Sequence, residues 1–172
     1  MKTSKILWAT GLSGAGKSTL AEAVAERLAD LNISSAIVDG DEFRKTHCAD
    51  LGFTAEDRME NLARMSIHVN KLSKDYDVVF VAAITPFSET RKQLRAELGE
   101  KYVEVFLNTP LSVCQSRDPK GLYARANNGD IPNFTGISSP YDKPESPDIV
   151  INHDDPLNIS VGKLLAFLDL TN

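Results

Sequence analysis

The segment GLSGAGKS, residues Gly11–Ser18, constrains the fold most strongly because it matches the pattern G-x-x-x-x-G-K-[ST] in full. A short apolar run with strand composition, KILWAT, precedes it, and apolar residues at helical spacing follow it. Glycines in such a turn let backbone N–H groups wrap a phosphate at the positive end of a helix. The segment therefore predicts a phosphate-binding loop that takes a nucleoside triphosphate.

Each residue type in this loop has a defined task. The lysine, Lys17, is expected to reach the β- and γ-phosphates, and the hydroxyl of Ser18 is expected to hold Mg²⁺. The predicted nucleotide-binding residues are Gly11, Ser13, Gly14, Ala15, Gly16, Lys17, Ser18 and Thr19. The sequence thus predicts ATP and Mg²⁺ as the bound cofactors.

Strand and helix patterns alternate along the rest of the chain. Strands are predicted at KILWAT (5–10), SSAIVDGD (34–41), DVVFVAAI (77–84), KYVEVFLN (101–108) and DIVIN (148–152). Helices are predicted at 17–31, 54–76, from about 88, at 110–117 and at 157–168. This alternation indicates an α/β fold in which helices cover both faces of a parallel sheet, as one domain over residues 1–172.

Charge and composition exclude several classes of protein. The 19 basic and 24 acidic residues give a net charge of −5 without any basic run, which argues against a nucleic-acid-binding surface. We find no apolar stretch long enough to cross a bilayer and no secretory signal peptide. Cys48 and Cys114 have no metal-ligand spacing, so we expect two packing residues and a cytoplasmic protein.

Two carboxylates favour a kinase over a switch or a motor. A guanine-specific switch needs an N-K-x-D base reader, and motors place a magnesium carboxylate at the end of a central strand; neither pattern is present. Asp39 and Asp41 instead follow the second strand, in VDGDEFR. With Ser18 they could hold Mg²⁺, and Asp41 could accept a proton from an attacking hydroxyl. Solvated acids in a D-G turn are the alternative explanation.

The segment GFTAEDRMEN predicts an acceptor site. Arg58 and Asn61 lie three residues apart on one helix face, and Arg44 adds a further cation. These groups suit an anionic acceptor, although an exposed helix surface would also carry them. Phe53 and Phe134 lie in polar, glycine-containing surroundings, where they could stack on a base or cap the core.

The segment from Lys120 to Asp148 is predicted to be a long irregular loop. It holds four of the eight prolines and shows neither helical nor strand periodicity. Long loops of this kind in compact domains are functional lids or disordered segments.

Taken in order, several of these motifs resemble the adenylyl-sulfate kinase (APS kinase) family. The resemblance covers nearly the whole chain and rests on GLSGAGKST, DGDEFR, LGFTAEDRMEN, ITPF, TPLSVCQSRDPKGLY and NFTGISSPYDKPESPD. The combination of RDPKGLY with FTGISSPY is far more specific than the phosphate loop alone. The family phosphorylates adenylyl sulfate with ATP to make 3′-phosphoadenylyl sulfate.

The resemblance implies a role for each matching residue. Lys17, Asp41 and Lys120 would act on the transferred phosphoryl group, and Arg117 would lie near the ATP base. The implied acceptor-binding residues are Asp41, Arg44, Phe53, Arg58, Asn61, Ile84, Thr85, Asn133 and Phe134. The two phenylalanines would sandwich the acceptor adenine, residues 118–147 would form a lid over both nucleotides, and the protein would be a homodimer.

The chain departs from the family pattern around the predicted acceptor site. Thr85 stands where serine is usual, Thr46 and His47 stand where glycine and leucine are common, and Ala63 replaces a frequent arginine. Asn127 replaces a usual lid basic residue. His47 is interpreted as a surface histidine.

Other functions remain open at this point. A kinase of the same fold could act on another nucleotide-linked metabolite, such as a cytidine-diphosphate conjugate, since stacking phenylalanines serve either base. A sugar-acid kinase would have no use for two stacking rings. A nucleotide-gated binding protein without chemistry would not need the lid lysine.

Overall fold

The structure, a computed structural model, describes residues 4–170. Five strands form one sheet: β1 (Lys5–Thr10), β2 (Ser35–Asp39), β3 (Val78–Ala82), β4 (Tyr102–Asn108) and β5 (Ile149–Asn152). The helices are α1 (Lys17–Asp30), α2 (Gly40–His47), α3 (Ala55–Leu72), α4 (Ser88–Leu98), α5 (Leu111–Arg117), α6 (Leu122–Asn127) and α7 (Leu157–Phe167), with a 3₁₀ turn at Gly99–Lys101.

The sheet has the strand order β2-β3-β1-β4-β5, and every neighbouring pair is parallel. The carboxyl ends of all five strands therefore meet at one edge, where ligands bind in open α/β sheets. The central strand β1 is buried on both sides, as its near-continuous apolar sequence predicts. This confirms the predicted α/β class and parallel sheet.

Two separate apolar cores lie on the two faces of the sheet. Helices α1 and α7 cover one face through residues such as Leu28 and Leu164. Helices α3 and α4 cover the other face through residues such as Met65 and Leu94, which pack near the buried Trp8. Helices on both faces shield the parallel strands from water.

Helix α3 begins where the sequence predicts. Thr54 is the N-cap, its hydroxyl accepts the backbone N–H of Asp57 at 3.1 Å, and the Asp57 carboxylate accepts the Thr54 N–H at 3.4 Å. These reciprocal bonds form a capping box. The helix ends at Leu72, before the predicted end at Tyr76.

Two helices were not predicted. The strand predicted over residues 34–41 ends at Asp39, and helix α2 begins at Gly40, because the Asp39 carboxylate caps its first turn. Helix α6 lies inside the segment from Lys120 to Asp148, which is therefore not irregular throughout. The side chain of Asp118 starts this helix by accepting the backbone N–H groups of Tyr123 and Ala124 at 3.0 and 3.1 Å. Among residues 4–170, no helix has the length and apolar character needed to span a membrane.

Candidate active site

A cleft of about 680 Å³ opens at the carboxyl edge of the sheet. The phosphate loop and the start of α1 line one part of it, from Ser13 to Leu20. Its other walls include the predicted residues Asp39, Asp41, Arg44, Phe53, Arg58, Asn61, Ile84, Thr85, Arg117 and Lys120. The structure thus brings most of the predicted site residues to one cavity.

The phosphate loop leaves the amino end of α1 open. Gly14 and Gly16 adopt φ angles of 75° and 101°, which L side chains rarely adopt. Gly16 is the N-cap of α1, and no side chain caps the first turn. The backbone N–H groups there can receive an anion, with the helix dipole adding to the attraction.

Lys17 is the first residue of α1, and its side chain reaches back to the phosphate loop. Its Nζ donates to the carbonyl oxygens of Gly11 at 2.9 Å and Leu12 at 2.8 Å. Burial lowers the pKa of Lys17 to about 8, and the nearby Asp41 carboxylate opposes that shift. The ammonium group is therefore held at the cleft, where it is largely shielded from the solvent that would stabilise its charge.

The two carboxylates after β2 have different surroundings. Asp39 accepts the Ser18 hydroxyl at 2.9 Å on one oxygen, while its other oxygen accepts the N–H groups of Asp41 at 2.9 Å and Glu42 at 3.2 Å. Asp41 accepts a hydrogen bond from Lys120, which raises the pKa of that lysine. Asp39 is thus fixed by the helix that it caps, and Asp41 meets the predicted lid.

The oxygen donors at this point fit a magnesium ion. Ser18 and Asp39 are already in contact, and Asp41 begins the next helical turn. Mg²⁺ prefers oxygen ligands and is usually held by one or two carboxylates together with substrate phosphates and water. Among residues 4–170, no group of three or more acidic, histidine or cysteine side chains is placed to hold a metal ion.

Two arginines approach the ring of Phe53, which is 56% exposed. The guanidinium carbons of Arg44 and Arg58 lie 4.6 and 5.9 Å from the ring centroid, within the range of cation–π attraction. Arg58 also donates to the Phe53 carbonyl at 3.1 Å. Burial lowers the pKa of Arg58, and the positive charge of Arg44 lowers it further.

Arg58 joins helix α3 to the segment from Lys120 to Asp148. Its guanidinium donates to the Thr135 hydroxyl at 2.9 Å and to the Asn133 carbonyl. Arg117 at the other end of the cleft donates to the Gly14 carbonyl at 3.4 Å. Arg58 therefore holds the predicted lid against the body of the protein, and Arg117 joins the end of α5 to the phosphate loop.

Asn61 has an unused acceptor. Its side chain is 7% exposed and lines the cleft, and its Oδ1 has no hydrogen-bond partner among the described residues. Buried polar atoms are nearly always paired, so an unpaired one on a cavity wall points to a ligand donor.

Thr85 lies on the cleft wall, but its side chain is buried. The residue is 1% exposed, its φ is 49°, and its hydroxyl accepts the indole N–H of Trp8 at 2.9 Å. Arg91 donates to its carbonyl at 2.9 Å. Sequence reasoning missed both Trp8 and Arg91. Trp8 lies far from Thr85 along the chain, and Arg91 has the pattern of an ordinary residue on a helix surface.

Phe134 and Asn133 are not on the wall of the cleft. Phe134 is 9% exposed and meets Tyr123 edge-on, with ring centroids 5.0 Å apart. Asn133 is exposed and contributes its carbonyl to Arg58. Sequence reasoning also missed the β5–α7 connection, where Asn152, His153 and Asp155 complete the wall near the phosphate loop.

The departures at Thr46, His47, Ala63 and Asn127 lie outside the cleft. All four are exposed, and His47 stacks on Phe43 with centroids 4.4 Å apart. Of the five departures, Thr85 alone lines the cavity.

Comparison with known proteins agrees with this geometry. The family model for adenylylsulphate kinase matches residues 3–152. The adenylyl-sulfate kinase of Paraburkholderia xenovorans is 50% identical over 165 residues, which cover 95% of this chain and 92% of the relative. The chain belongs to the adenylylsulphate kinase family. The adenylyl-sulfate kinase of Clostridium acetobutylicum is 48% identical, with 95% of this chain and 82% of that protein covered.

A solved structure supports the same assignment. The Mycobacterium tuberculosis APS kinase, in complex with AMPPNP and APS, superposes with a TM-score of 0.92 at 41% identity. The match covers 98% of this chain and 99% of that one. The P-loop kinase fold predicted from the sequence is confirmed.

Proposed function

We propose that this chain is an adenylyl-sulfate kinase, which transfers the γ-phosphoryl group of ATP to the 3′-hydroxyl of adenylyl sulfate. The products are 3′-phosphoadenylyl sulfate and ADP. The observation that carries the proposal is the cleft, where a phosphate loop and a set of arginine, amide and aromatic side chains line one cavity. Its relatives are named for this reaction, and the superposed Mycobacterium tuberculosis enzyme binds AMPPNP and APS.

The phosphate loop and Arg117 form the ATP site in this proposal. Gly11, the residues from Ser13 to Thr19 and the open first turn of α1 hold the phosphates. Lys17, already aimed at the loop carbonyls, moves its ammonium onto the β- and γ-phosphates. Arg117 lies beside the base.

Ser18, Asp39 and Asp41 hold Mg²⁺, directly or through water. When bound, the ion neutralises charge on the β- and γ-phosphate oxygens. Asp39 suits this role because its second oxygen is anchored to the amino end of α2.

Asp41 and Lys120 act at the transferred group. Asp41 accepts the proton of the attacking 3′-hydroxyl, and Lys120 leaves its contact with Asp41 to stabilise charge on the phosphoryl oxygens. Phosphoryl transfer passes through a loose transition state, so positioning and charge contribute more than the base does.

The acceptor occupies the wall opposite the phosphate loop. Arg44 and Arg58 pair with its anionic groups, Asn61 uses its free oxygen, and Phe53 stacks on the adenine. The remaining acceptor contacts are assigned to Asp41, Ile84, Thr85, Asn133 and Phe134. In this structure Phe134 packs on Tyr123, so its ring must turn toward the cleft before it can stack on the adenine.

Residues 118–147 form a lid in this proposal. The contacts of Arg58 with Asn133 and Thr135, and of Lys120 with Asp41, are the bonds that hold it over the cleft. A closed lid excludes water that would otherwise take the phosphoryl group. We further propose a cytoplasmic location, which two buried free cysteines fit, and a homodimer, which the family resemblance implies.

Product analysis tests the function. The enzyme is incubated with Mg·ATP and, in parallel, adenylyl sulfate or cytidine-diphosphate conjugates, and products are identified by mass. We expect phosphorylated adenylyl sulfate, and none with Lys17→Ala, which loses the charge on the β- and γ-phosphates. Phosphorylation of a cytidine conjugate alone would preserve the mechanism and refute the substrate.

A further inference from the structure

Thr10 lies where the central strand β1 passes into the phosphate loop, and its side chain is buried. It is the last residue of β1, and Gly11 follows it directly. Its hydroxyl oxygen lies 2.6 Å from the carbonyl oxygen of Ile84 and 3.3 Å from that of Thr85. Ile84 and Thr85 line the cleft and are assigned to the acceptor above, so one hydroxyl joins the start of the phosphate loop to the acceptor side.

Backbone hydrogen bonds reinforce this junction between the phosphate loop and the loop from β3 to α4, residues 83–87, here called the Thr85 loop. The N–H of Gly11 donates to the Ile84 carbonyl at 3.4 Å, and the N–H of Ala83 donates to the Ala9 carbonyl at 3.3 Å. Strands β1 and β3 are neighbours, so these bonds extend their pairing past the end of β3. The relative position of the two loops is therefore set at the carboxyl ends of two adjacent strands.

The side chain of Tyr141 reaches the same point from the segment between Lys120 and Asp148. Its hydroxyl oxygen lies 3.0 Å from Oγ1 of Thr10, its single hydrogen-bond partner within residues 4–170. A threonine hydroxyl has one proton, and because the Ile84 carbonyl can only accept, the proton of Thr10 points to that carbonyl. The hydroxyl of Tyr141 therefore donates to Thr10. Burial raises the pKa of Tyr141 to about 12, so the donor keeps its proton at neutral pH.

The backbone beside Tyr141 is fixed to the start of helix α4. Asp142 donates its N–H to the Pro86 carbonyl at 2.8 Å, and its carboxylate accepts the N–H of Ser88 at 3.0 Å. The ring of Tyr141 packs 6.5 Å from the ring of Phe106, with 23° between the two planes. The body of the protein therefore holds the Tyr141 hydroxyl in place without the help of a ligand.

We propose that Thr10 and Tyr141 are positioning residues that align the two substrates for phosphoryl transfer. Within residues 4–170, the walls of the cleft include Ile84 and Thr85 but neither Thr10 nor Tyr141, so both act through other residues. The Thr10 hydroxyl gives its proton to Ile84 and is itself held by Tyr141. This chain of two bonds fixes the distance between the phosphate loop and the Thr85 loop, and hence between the γ-phosphate and the attacking hydroxyl.

The reaction is sensitive to this distance. Phosphoryl transfer depends almost entirely on positioning and charge, with the attacking and leaving oxygens in line. A misplacement of about 1 Å that starts far from the reacting atoms can lower a rate ~100-fold. The inference rests on the proposed function, because it assigns the Thr85 loop to the acceptor.

Single-turnover kinetics with saturating Mg·ATP and adenylyl sulfate measure the alignment. We expect Tyr141→Phe and Thr10→Val each to lower the rate of phosphoryl transfer by roughly 5- to 50-fold, while the KM for ATP stays within about twofold of the wild-type value. Both substitutions keep the shape of the side chain and remove a hydroxyl. Thr10→Ser keeps the hydroxyl and should restore a rate near that of the wild type.

A double variant tests whether the two residues act through one bond. Thr10→Val combined with Tyr141→Phe should be no slower than Thr10→Val alone, since both changes remove the same contact. Tyr76→Phe is the matched control. Tyr76 is 37% exposed and precedes β3, at the opposite edge of the sheet from the cleft, so this variant should react at the wild-type rate. Circular dichroism confirms that each variant is folded.

A Tyr141→Phe variant as fast as the wild type would overturn the inference and make Tyr141 a packing residue. A Thr10→Ser variant as slow as Thr10→Val would also overturn it, because loss of the hydroxyl would not be the cause. Wild-type enzyme that leaves adenylyl sulfate unmodified would refute the proposed function and this inference with it. Wild-type enzyme that phosphorylates it, beside an equally fast Tyr141→Phe, would refute the positioning role alone.

Discussion

Burial lowers the pKa of Lys17 to about 8, so the charge of this residue changes within an accessible range of pH. Bound phosphates favour the protonated form, so ATP binding should weaken as pH rises from 7 to 9 and should take up protons near pH 8. Calorimetry in two buffers with different ionisation enthalpies measures this uptake. Lys17→Met, which has no ammonium, is the control and should lose it. Unchanged uptake in the variant would assign the proton to another group.

The two phenylalanines predicted to stack on the acceptor should behave differently when shortened. Phe53→Ala should raise the acceptor KM by roughly 5- to 150-fold, the equivalent of ~1–3 kcal/mol of stacking, and leave the KM for ATP nearly unchanged. Because Phe53 is 56% exposed, the stability of the fold should change little. Phe53→Leu should restore some packing and little stacking, so equal KM values for Leu and wild type would contradict a stacked base.

Phe134→Ala should combine the same KM effect with a loss of stability. The ring is buried against Tyr123, and large-to-small changes at buried phenylalanines cost about 3–5 kcal/mol. Urea denaturation measures that loss. A destabilised variant with an unchanged acceptor KM would make Phe134 a packing residue only.

Most of the residues at the cleft could be predicted from the sequence because their signals are local. The phosphate loop has a fixed spacing, and Arg58 and Asn61 are neighbours on one helix. The bond between Trp8 and Thr85 could not be predicted, since 77 residues separate them. The edge-on packing of Phe134 on Tyr123 was not predicted for a different reason: it depends on how the segment folds back, and its glycines and prolines carry no periodic signal.

The helices also differ in how clearly the sequence indicates them. A capping box and a periodic apolar face predict helix α3 from the sequence. Helix α2 has eight residues and buries only Phe43, so no apolar period marks it. Helix α6, of six residues, depends on the Asp118 side chain and lies between glycines.

Helix α4 supplies a buried arginine that ties two elements of the site together. Arg91, 3% exposed, donates to the carbonyls of Thr85 at 2.9 Å and Asp142 at 2.7 Å, and pairs with buried Glu104 at 3.4 Å. Arg91→Lys keeps one charge but cannot make all these bonds. We expect the acceptor KM to rise more than the KM for ATP, because the Thr85 loop shifts.

A matched substitution separates the effect of Arg91 on the position of the Thr85 loop from its effect on the stability of the fold. Arg95→Lys alters the other arginine near Glu104, which lies 3.7 Å from that carboxylate and donates to Asp148 at 2.7 Å. It should leave the acceptor KM unchanged. If both variants changed the two KM values equally, Arg91 would have only a structural role.

The segment 118–147 is the element whose role depends on movement. Because Lys120 contacts Asp41 across the cleft, Lys120→Ala should lower kcat more than it weakens ATP binding. Limited proteolysis within this segment should slow when AMPPNP and acceptor are both bound, since an ordered segment is protected. Arg125, exposed on α6, offers a control: Arg125→Ala should leave kcat near the wild-type value. Equal cleavage with and without ligands would exclude a lid.

At the scale of the whole molecule, the order β2-β3-β1-β4-β5 explains why one cleft serves two substrates. The phosphate loop follows the central strand β1, and the acidic end of β2 and the Thr85 loop after β3 reach the same edge. Parallel order and alternation are visible in the sequence. Strand order is not, since near-continuous apolar strands can pair in several arrangements.

Because several strands and loops build the cleft, ligand binding should stabilise the whole fold, and this effect can be measured as a rise in Tm. A ligand at 100 times its Kd stabilises the native state by about 2.7 kcal/mol, which should raise the Tm of a chain of this size by roughly 5–11 °C. We expect such a shift with Mg·AMPPNP and a larger one when adenylyl sulfate is added, because the segment 118–147 would contact both. Lys17→Ala should lose most of the AMPPNP shift while keeping a shift with adenylyl sulfate alone. If the variant lost both shifts, its two sites would not be separable, and if the wild type showed no AMPPNP shift, the loop at Gly11–Ser18 would not bind the nucleotide.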